Sequence, residues 1–288
     1  YKAGCRIMPR SGSTLSAVNG KLYLYGGQEP VTEHRFADIK CLDPECWEWS
    51  DVEAKGTVPP ARHSHVCSVI AGQAMLIYGG SSVQGTLSDL WLFNVTAGMW
   101  QHISPQGTPP AAREMHSSCM LGETTMLVYG GRAADGRILC DAAVLDTGSM
   151  EWGAVEPTPF SRCAHSTVSL PGGAGAGPMR SPPNDSASDV PPTASTSGST
   201  GGGAVIVYGG FSGEAVEGDV MSIDSKTLEI ELLRRGPRET DAAGTVPLPR
   251  FAHAATIIDW SDGHKAMLVI GGVNLHEDLN DVAVWTSR

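Results

Sequence analysis

Four histidines, His65, His116, His165 and His253, each stand three residues after an arginine: Arg62, Arg113, Arg162 and Arg250. Imidazole and guanidinium are side chains that move protons and hold anions, and four equivalent histidines around one axis would also suit a metal ion. A catalytic constellation, however, needs unlike groups in unlike roles side by side. Here the same pair recurs in the same order, with Arg10 and Ser13 filling the two places once more near the start. Such recurrence marks scaffold, in which arginine and histidine hydrogen-bond between strands and to turn backbone. No catalytic residue, metal site or cofactor is expected. Seven cysteines without a C-x-x-C pair argue in the same direction: they read as reduced, mostly buried thiols and not as a zinc site. The two glycosylation sequons, at Asn94 and Asn184, have no signal peptide to support them and are read as chance.

The elements that must position these residues follow from a repeat. An apolar run ending in Gly-Gly occurs five times: LYLYGG at 22–27, MLIYGG at 75–80, MLVYGG at 126–131, VIVYGG at 205–210 and MLVIGG at 267–272. Successive glycine pairs are 53, 51, 79 and 62 residues apart. Downstream of each, an aspartate opens another apolar run (Asp38, Asp89, Asp141, Asp219, Asp281), and eleven residues after the first three stands Trp49, Trp100 or Trp152. Ile230 takes that place in the fourth copy. Each copy thus holds four apolar segments of strand length separated by turn residues; in the second they fall at 65–70, 74–78, 89–94 and 99–103. Four antiparallel strands per copy, at a period near fifty residues, make one blade of a β-propeller. The tyrosine before the glycines and the tryptophan of the fourth strand would pack between blades.

Paired glycines, a tryptophan at fixed distance and ordered Arg, His and Asp between them resemble the Kelch-repeat family over almost the whole chain. The resemblance implies an all-β Kelch propeller of four-stranded antiparallel blades. Its nearest likeness is to Kelch-only propellers of the GTPase-effector or scaffold type, in which the N-terminal segment completes the last blade. Gly4–Arg10 repeats the spacing of Gly56–Arg62, and the last copy stops at its third strand, so residues 1–8 are expected to close the last blade. The expected blades are 10–53, 62–104, 113–156, 162–233 and 250–288 plus 1–8, one domain over 1–288. Five is fewer than the six or seven usual for the family: either the ring is five-bladed or further blades lie outside this sequence, and the matching ends favour a complete ring. A monomeric propeller is expected. The chain begins at Tyr1, not Met, and reads as cut from a longer protein. The segment 171–203, nearly all Gly, Ser, Pro, Ala and Thr, is expected to be a flexible loop within blade four.

Loops joining strands two and three leave the same face as the blade-to-blade loops. They differ from copy to copy, as a recognition surface should. The candidate partner-binding residues on this face are Glu29, Arg35, His63, Gln84, Glu114, Met115, Arg132, Arg137, Phe211, Glu214, Phe251, Asn274 and His276. The chain is expected to be a protein-protein interaction module, a scaffold or adaptor, binding a protein or peptide. A net charge of −11 speaks against nucleic acid and anionic membrane surfaces, and no apolar run is long enough to span a bilayer. A cytoplasmic location is expected. The alternative is an enzyme or the accessory domain of one. Kelch-like propellers include copper oxidases, iron-dependent specifier proteins and a domain of a tRNA-modifying methyltransferase. The tyrosines and histidines here fall mostly on scaffold positions, and the nearest acidic-histidine cluster is His276, Glu277 and Asp278, whose adjacent side chains point apart.

Overall fold

A computed structural model describes residues 6–170, 179–180, 204–236, 247–260 and 265–287. The described residues contain strands and turns and no helix, hence no helix long and apolar enough to cross a membrane. They fall into two compact units, Tyr1–His165 with Phe211–Ala215, and Ser166–Gly210 with Val216–Arg288.

The first unit holds three blades. Blade one is the antiparallel meander β1 (Thr14–Val18), β2 (Lys21–Tyr25), β3 (Ile39–Asp43) and β4 (Glu48–Asp51). Blade two is β5 (Val66–Ile70), β6 (Ala74–Tyr78), β9 (Leu90–Asn94) and β10 (Met99–Ile103). Between β6 and β9 rises a short ribbon, β7 (Ser81–Ser82) with β8 (Gly85–Thr86). Blade three is β12 (Ser117–Met120), β13 (Thr125–Tyr129), β15 (Asp141–Asp146) and β16 (Glu151–Pro157), and a second ribbon pairs β11 (Arg113–Glu114) with β14 (Arg132–Ala133). The spacing anticipates the four main strands of blade two to within a residue at each end; the two-residue ribbons go beyond it.

The second unit holds blade four, β17 (Ser166–Leu170), β19 (Ala204–Tyr208), β20 (Val220–Asp224) and β21 (Ile230–Arg234). It also holds blade five, β22 (Ala254–Asp259), β23 (Lys265–Ile270) and β24 (Val282–Ser287). The fourth place in blade five is taken by β18 (Met179–Arg180), which pairs with Thr286 and Ser287. Those two residues are the described part of 171–203, so the segment supplies a strand to blade five as well as joining β17 to β19. The expected closure by 1–8 lies partly outside the described residues, and residues 6–8 form no strand.

The core lies between blades. The second strand of blade two, Ala74–Tyr78, is buried along its whole length, because it sits mid-sheet with blades one and three on its two faces. Between blades one and two, Tyr25 packs on Trp100 with ring centroids 5.0 Å apart, and Tyr78 packs on Trp152 at the same distance in the next seam. In blade five, where the fourth-strand tryptophan is missing, third-strand Trp285 meets Tyr208 at 6.0 Å.

The glycine pairs lock one blade to the next. Gly79 and Gly80 adopt φ of 65° and 95°, the left-handed region that side chains avoid. A Cβ on Gly80 would lie 2.7 Å from the His63 carbonyl oxygen. That closeness lets the Gly80 N–H donate to the Arg113 carbonyl of the next blade at 2.9 Å. Gly27 to Arg62 (2.8 Å), Gly131 to Arg162 (2.7 Å) and Gly210 to Arg250 (2.8 Å) repeat the bond.

Candidate functional site

The recurring arginines are structural. Arg62 is fully buried; its Nη1 donates to the Gly79 carbonyl at 2.9 Å, and its two Nη groups grip the Asp89 carboxylate at 2.7 Å each. Arg10 with Asp38, Arg113 with Asp141 and Arg250 with Asp281 repeat the fork. Burial pushes the Asp89 carboxyl up, but the hydrogen bonds and charge of Arg62 outweigh it and hold it below its ordinary value. Arg162 Nη1 also donates to the Ser161 carbonyl, at 2.8 Å.

The recurring histidines staple the seams. His65 Nε2 shares a hydrogen bond with Thr14 Oγ1 of the preceding blade (3.0 Å), His165 with Ser117 (2.6 Å) and His253 with Ser166 (2.8 Å). Each ring also meets a tyrosine edge to face. Burial pushes His65 down to about 3 and His253 to about 4, and His116 lies well below its ordinary range for the same reason. Such imidazoles are neutral at pH 7 and walled in, which fits the scaffold role expected of them. His116 breaks the rule. The strand register puts Val66 where Thr14, Ser117 and Ser166 stand, and neither ring nitrogen of His116 has a hydrogen-bond partner among the described residues.

The face that receives the Gly-Gly exits is built from the same corners. The residue after each arginine pairs with the residue after the glycines: Ser11 with Gln28, His63 with Ser81, Cys163 with Phe211 and Phe251 with Val273. The next residue is left-handed in each copy: Gly12, Ser64, Met115, Ala164 and Ala252. In the first unit the corners form a hydrogen-bonded chain, Ser64 N–H to Gly12 O (2.7 Å), Met115 to Ser64 (2.9 Å) and Ala164 to Met115 (2.7 Å). The variable side chains are therefore mounted on rigid backbone.

Of the candidate residues, the first unit brings four together. Glu114 is buried and accepts from Arg132 Nε at 3.0 Å and Nη2 at 2.6 Å; the arginine side chain is 43% exposed, the glutamate 8%. His63 hydrogen-bonds Ser64 Oγ at 3.0 Å and lies within electrostatic reach of Glu114, Arg35 and Arg132. Burial lowers its pKa, Glu114 opposes this, and the two arginines add to the lowering. Arg35 is half-buried and bridged to Gln28, and its Nε has no hydrogen-bond acceptor among the described residues. Beneath them Cys163 has its thiol pushed up by burial, Arg132 pulling it back.

Several other candidates are committed within their own loops. Glu29 Oε2 accepts from Val31 N, Thr32 N and Thr32 Oγ1, and Arg137 pairs with Asp135 at 2.7 Å. Met115 is half-buried at its corner, Gln84 donates its N–H to Ser82 Oγ, Phe211 is half-buried beside Cys163, and Glu214 is exposed. In the second unit, Phe251 is half-buried against Val273, Asn274 Oδ1 accepts from the amides of His276 and Glu277, and His276 is exposed. Polar and aromatic types guided the selection and passed over the loop tips. Val31 is 87% exposed and Val83 79%, each at the apex of a loop held by its own hydrogen bonds. A lone valine between turn formers, as in EPVTE and SSVQG, is the signal that marks them.

A family model, the KLHDC2/KLHL20/DRC7 Kelch-repeats domain, matches residues 2–172. The chain belongs to the Kelch-repeat family, and its described residues form five four-stranded blades of the Kelch β-propeller kind, three in the first unit and two in the second. Among curated relatives, it is 33% identical to Adagio protein 3 of Arabidopsis thaliana over 175 residues, 58% of this chain and 28% of that protein. It is 31% identical to Kelch domain-containing protein 1 of Homo sapiens over 151 residues, 51% of this chain and 34% of the relative. With Acyl-CoA-binding domain-containing protein 4 of Arabidopsis thaliana it shares 28% identity over 146 residues, 51% and 21% of the two chains. The matched stretch spans about a third or less of each of these relatives.

Proposed function

We propose that this propeller is a protein-interaction module, without chemistry of its own, that binds its partner through the face bearing the Gly-Gly exits. The observation that carries the reading is the division of labour in the first unit. The repeated Arg, His and Asp are consumed inside blades and seams, whereas the residues that vary stand on hydrogen-bonded corners and loops. Kelch relatives fit an interaction module at this general level. At the face, Arg35 and Arg132 stand within electrostatic reach of a half-buried His63. In a chain of net charge −11 this is a place suited to a carboxylate of an extended partner segment. Val31 and Val83 add apolar contact area on loops that need little ordering on binding. The six described cysteines, none of them in a disulfide, suit a reducing compartment such as the cytoplasm, and the relatives' greater length suits a propeller serving a larger protein.

Site-specific photo-crosslinking tests the face. With p-benzoylphenylalanine at Val83, a discrete partner adduct should form in extract of the source cell. With the same group at Gln101, exposed on the outer strand β10 of blade two, it should not. Adducts from Gln101 alone, or equal yields from both, would place recognition elsewhere.

A further inference from the structure

The opposite face of the first unit carries a separate feature. Between the β5–β6 and β12–β13 turns lies a groove of about 430 Å³, lined by Val69, Ala71, Gly72, Met120, Gly122 and Glu123. Its floor is apolar: Val69 and Met120 are half-buried and rest on the two inter-blade cores of this unit. Its lips are bare backbone, since a Cβ on Gly72 or Gly122 would meet nothing within 4 Å. Both lips are pinned to the neighbouring turn of their own blade. The Val95 N–H donates to the Gln73 carbonyl at 3.1 Å, and the Thr147 N–H and Oγ1 donate to the Thr124 carbonyl at 2.7 and 2.9 Å. The groove is therefore preformed, and its size is that of a small-ligand or side-chain site.

Charge selects the occupant. The turns of this face in the first unit, with the residues flanking them, carry Asp43, Glu45, Glu48, Glu123, Asp146 and Glu151. The cation on these turns and their flanks is Lys21, paired with Asp43 at 3.2 Å, and Lys55 lies alongside the β9–β10 turn, its N–H donating to the Gly98 carbonyl at 2.7 Å. Lysine and arginine bury an aliphatic stem on apolar surface while the charged head seeks a carboxylate. Methionine adapts to such stems better than branched residues do. We infer that this groove is a second docking site, for a basic segment of a partner protein. One lysine or arginine stem of that segment lies over Val69 and Met120, its head reaching Glu123, with the surrounding carboxylates steering the approach.

Amide chemical shifts of the intact, isotope-labelled chain provide the test. The probe is the peptide Ac-Ala-Leu-Lys-Leu-Ala-NH2, with a second peptide carrying Glu for Lys. The Lys peptide should shift Ala71, Gly72, Gly122 and Glu123 at millimolar concentration, and the Glu peptide should not. Glu123→Gln, an exposed change that leaves the fold intact, should weaken the response at least fivefold. Arg132→Ala, on the other face, should leave it unaltered, so this site and the Gly-Gly face stand or fall separately. Silence of those four amides, equal shifts with both peptides, or indifference to Glu123→Gln would each overturn the assignment.

Discussion

Arg62→Ala should destabilise the protein by about 3–5 kcal/mol, the usual cost of breaking a buried ion pair by removing one partner. Four acceptors lose a donor at once: both Asp89 oxygens, the Gly79 carbonyl and the Pro60 carbonyl, the last at 3.2 Å from Nε, with Asp89 Oδ2 keeping Trp91 Nε1 at 2.6 Å. The side chain itself is fully buried, so truncation also leaves a cavity where blade one meets blade two. Arg62→Lys keeps the charge but not the planar fork, and should recover only part of the loss. Asp89→Ala should be as severe, because it strands a buried guanidinium. The double variant Arg62→Met/Asp89→Leu should lose less than the two single losses summed, since neither partner is left alone. Urea unfolding of the four variants reads these differences. An Arg62→Ala variant within about 1 kcal/mol of wild type, the ordinary worth of an exposed pair, would contradict the structural role of the fork.

Acid should unfold the protein well before its carboxylates protonate. His65, His116 and His253 are pushed below the ordinary 6.5 by burial, His65 to about 3 and His253 to about 4. A group whose folded pKa is depressed in this way binds its proton more readily in the unfolded chain. Stability therefore falls as pH drops through 6.5, and it goes on falling toward the folded values. Each such histidine contributes a slope of about 1.4 kcal/mol per pH unit in that window. The aspartates act lower. Asp89 and Asp281 are held below the ordinary 3.8, so the stability they confer is lost only as pH falls beneath about 4. Melting temperature should thus drop steeply between pH 6.5 and about 4.5, and a flat profile there would refute the buried neutral histidines. The same seams yield a substitution. Val66→Thr offers His116 the hydroxyl that Thr14, Ser117 and Ser166 offer elsewhere. It should raise the melting temperature at pH 7, where a hydroxyl added without a partner would lower it. Ser117→Ala, which removes the hydroxyl bonded to His165 Nε2, should lower it.

The blades were legible in the residues because each carries its own punctuation. Gly-Gly needs positive φ, Asp opens the third strand, and tyrosine and tryptophan fill the seam; these local demands recur at a fixed register, so strand positions followed within a residue. The pairing of Arg62 with Asp89 is less local. Spacing placed both at strand ends, but only the antiparallel register brings guanidinium to carboxylate. The completion of blade five was not legible. Met179–Arg180 lies in a segment of turn-formers, and a two-residue strand leaves no periodicity to read. The candidate face was legible as a face, not as a site. Arg35, His63, Glu114 and Arg132 come from three blades, and their approach depends on corner geometry that composition does not encode. Glu114, which resembles a recognition residue in the sequence, is largely spent on Arg132, while the exposed valines at the loop tips looked too plain to choose.

Removing the arginine charges at Arg35 and Arg132 tests the interaction face most directly. Arg35→Gln/Arg132→Gln should remain folded by circular dichroism, because both positions lie outside the Arg–Asp forks and the new amide at 132 can still donate to Glu114. Partners that co-purify with the wild-type propeller from the source cell should be lost from this variant and kept by Gln101→Glu, an exposed change on the outer strand of blade two. Recovery of the same partners by the folded Arg35→Gln/Arg132→Gln protein would contradict recognition through the Gly-Gly face.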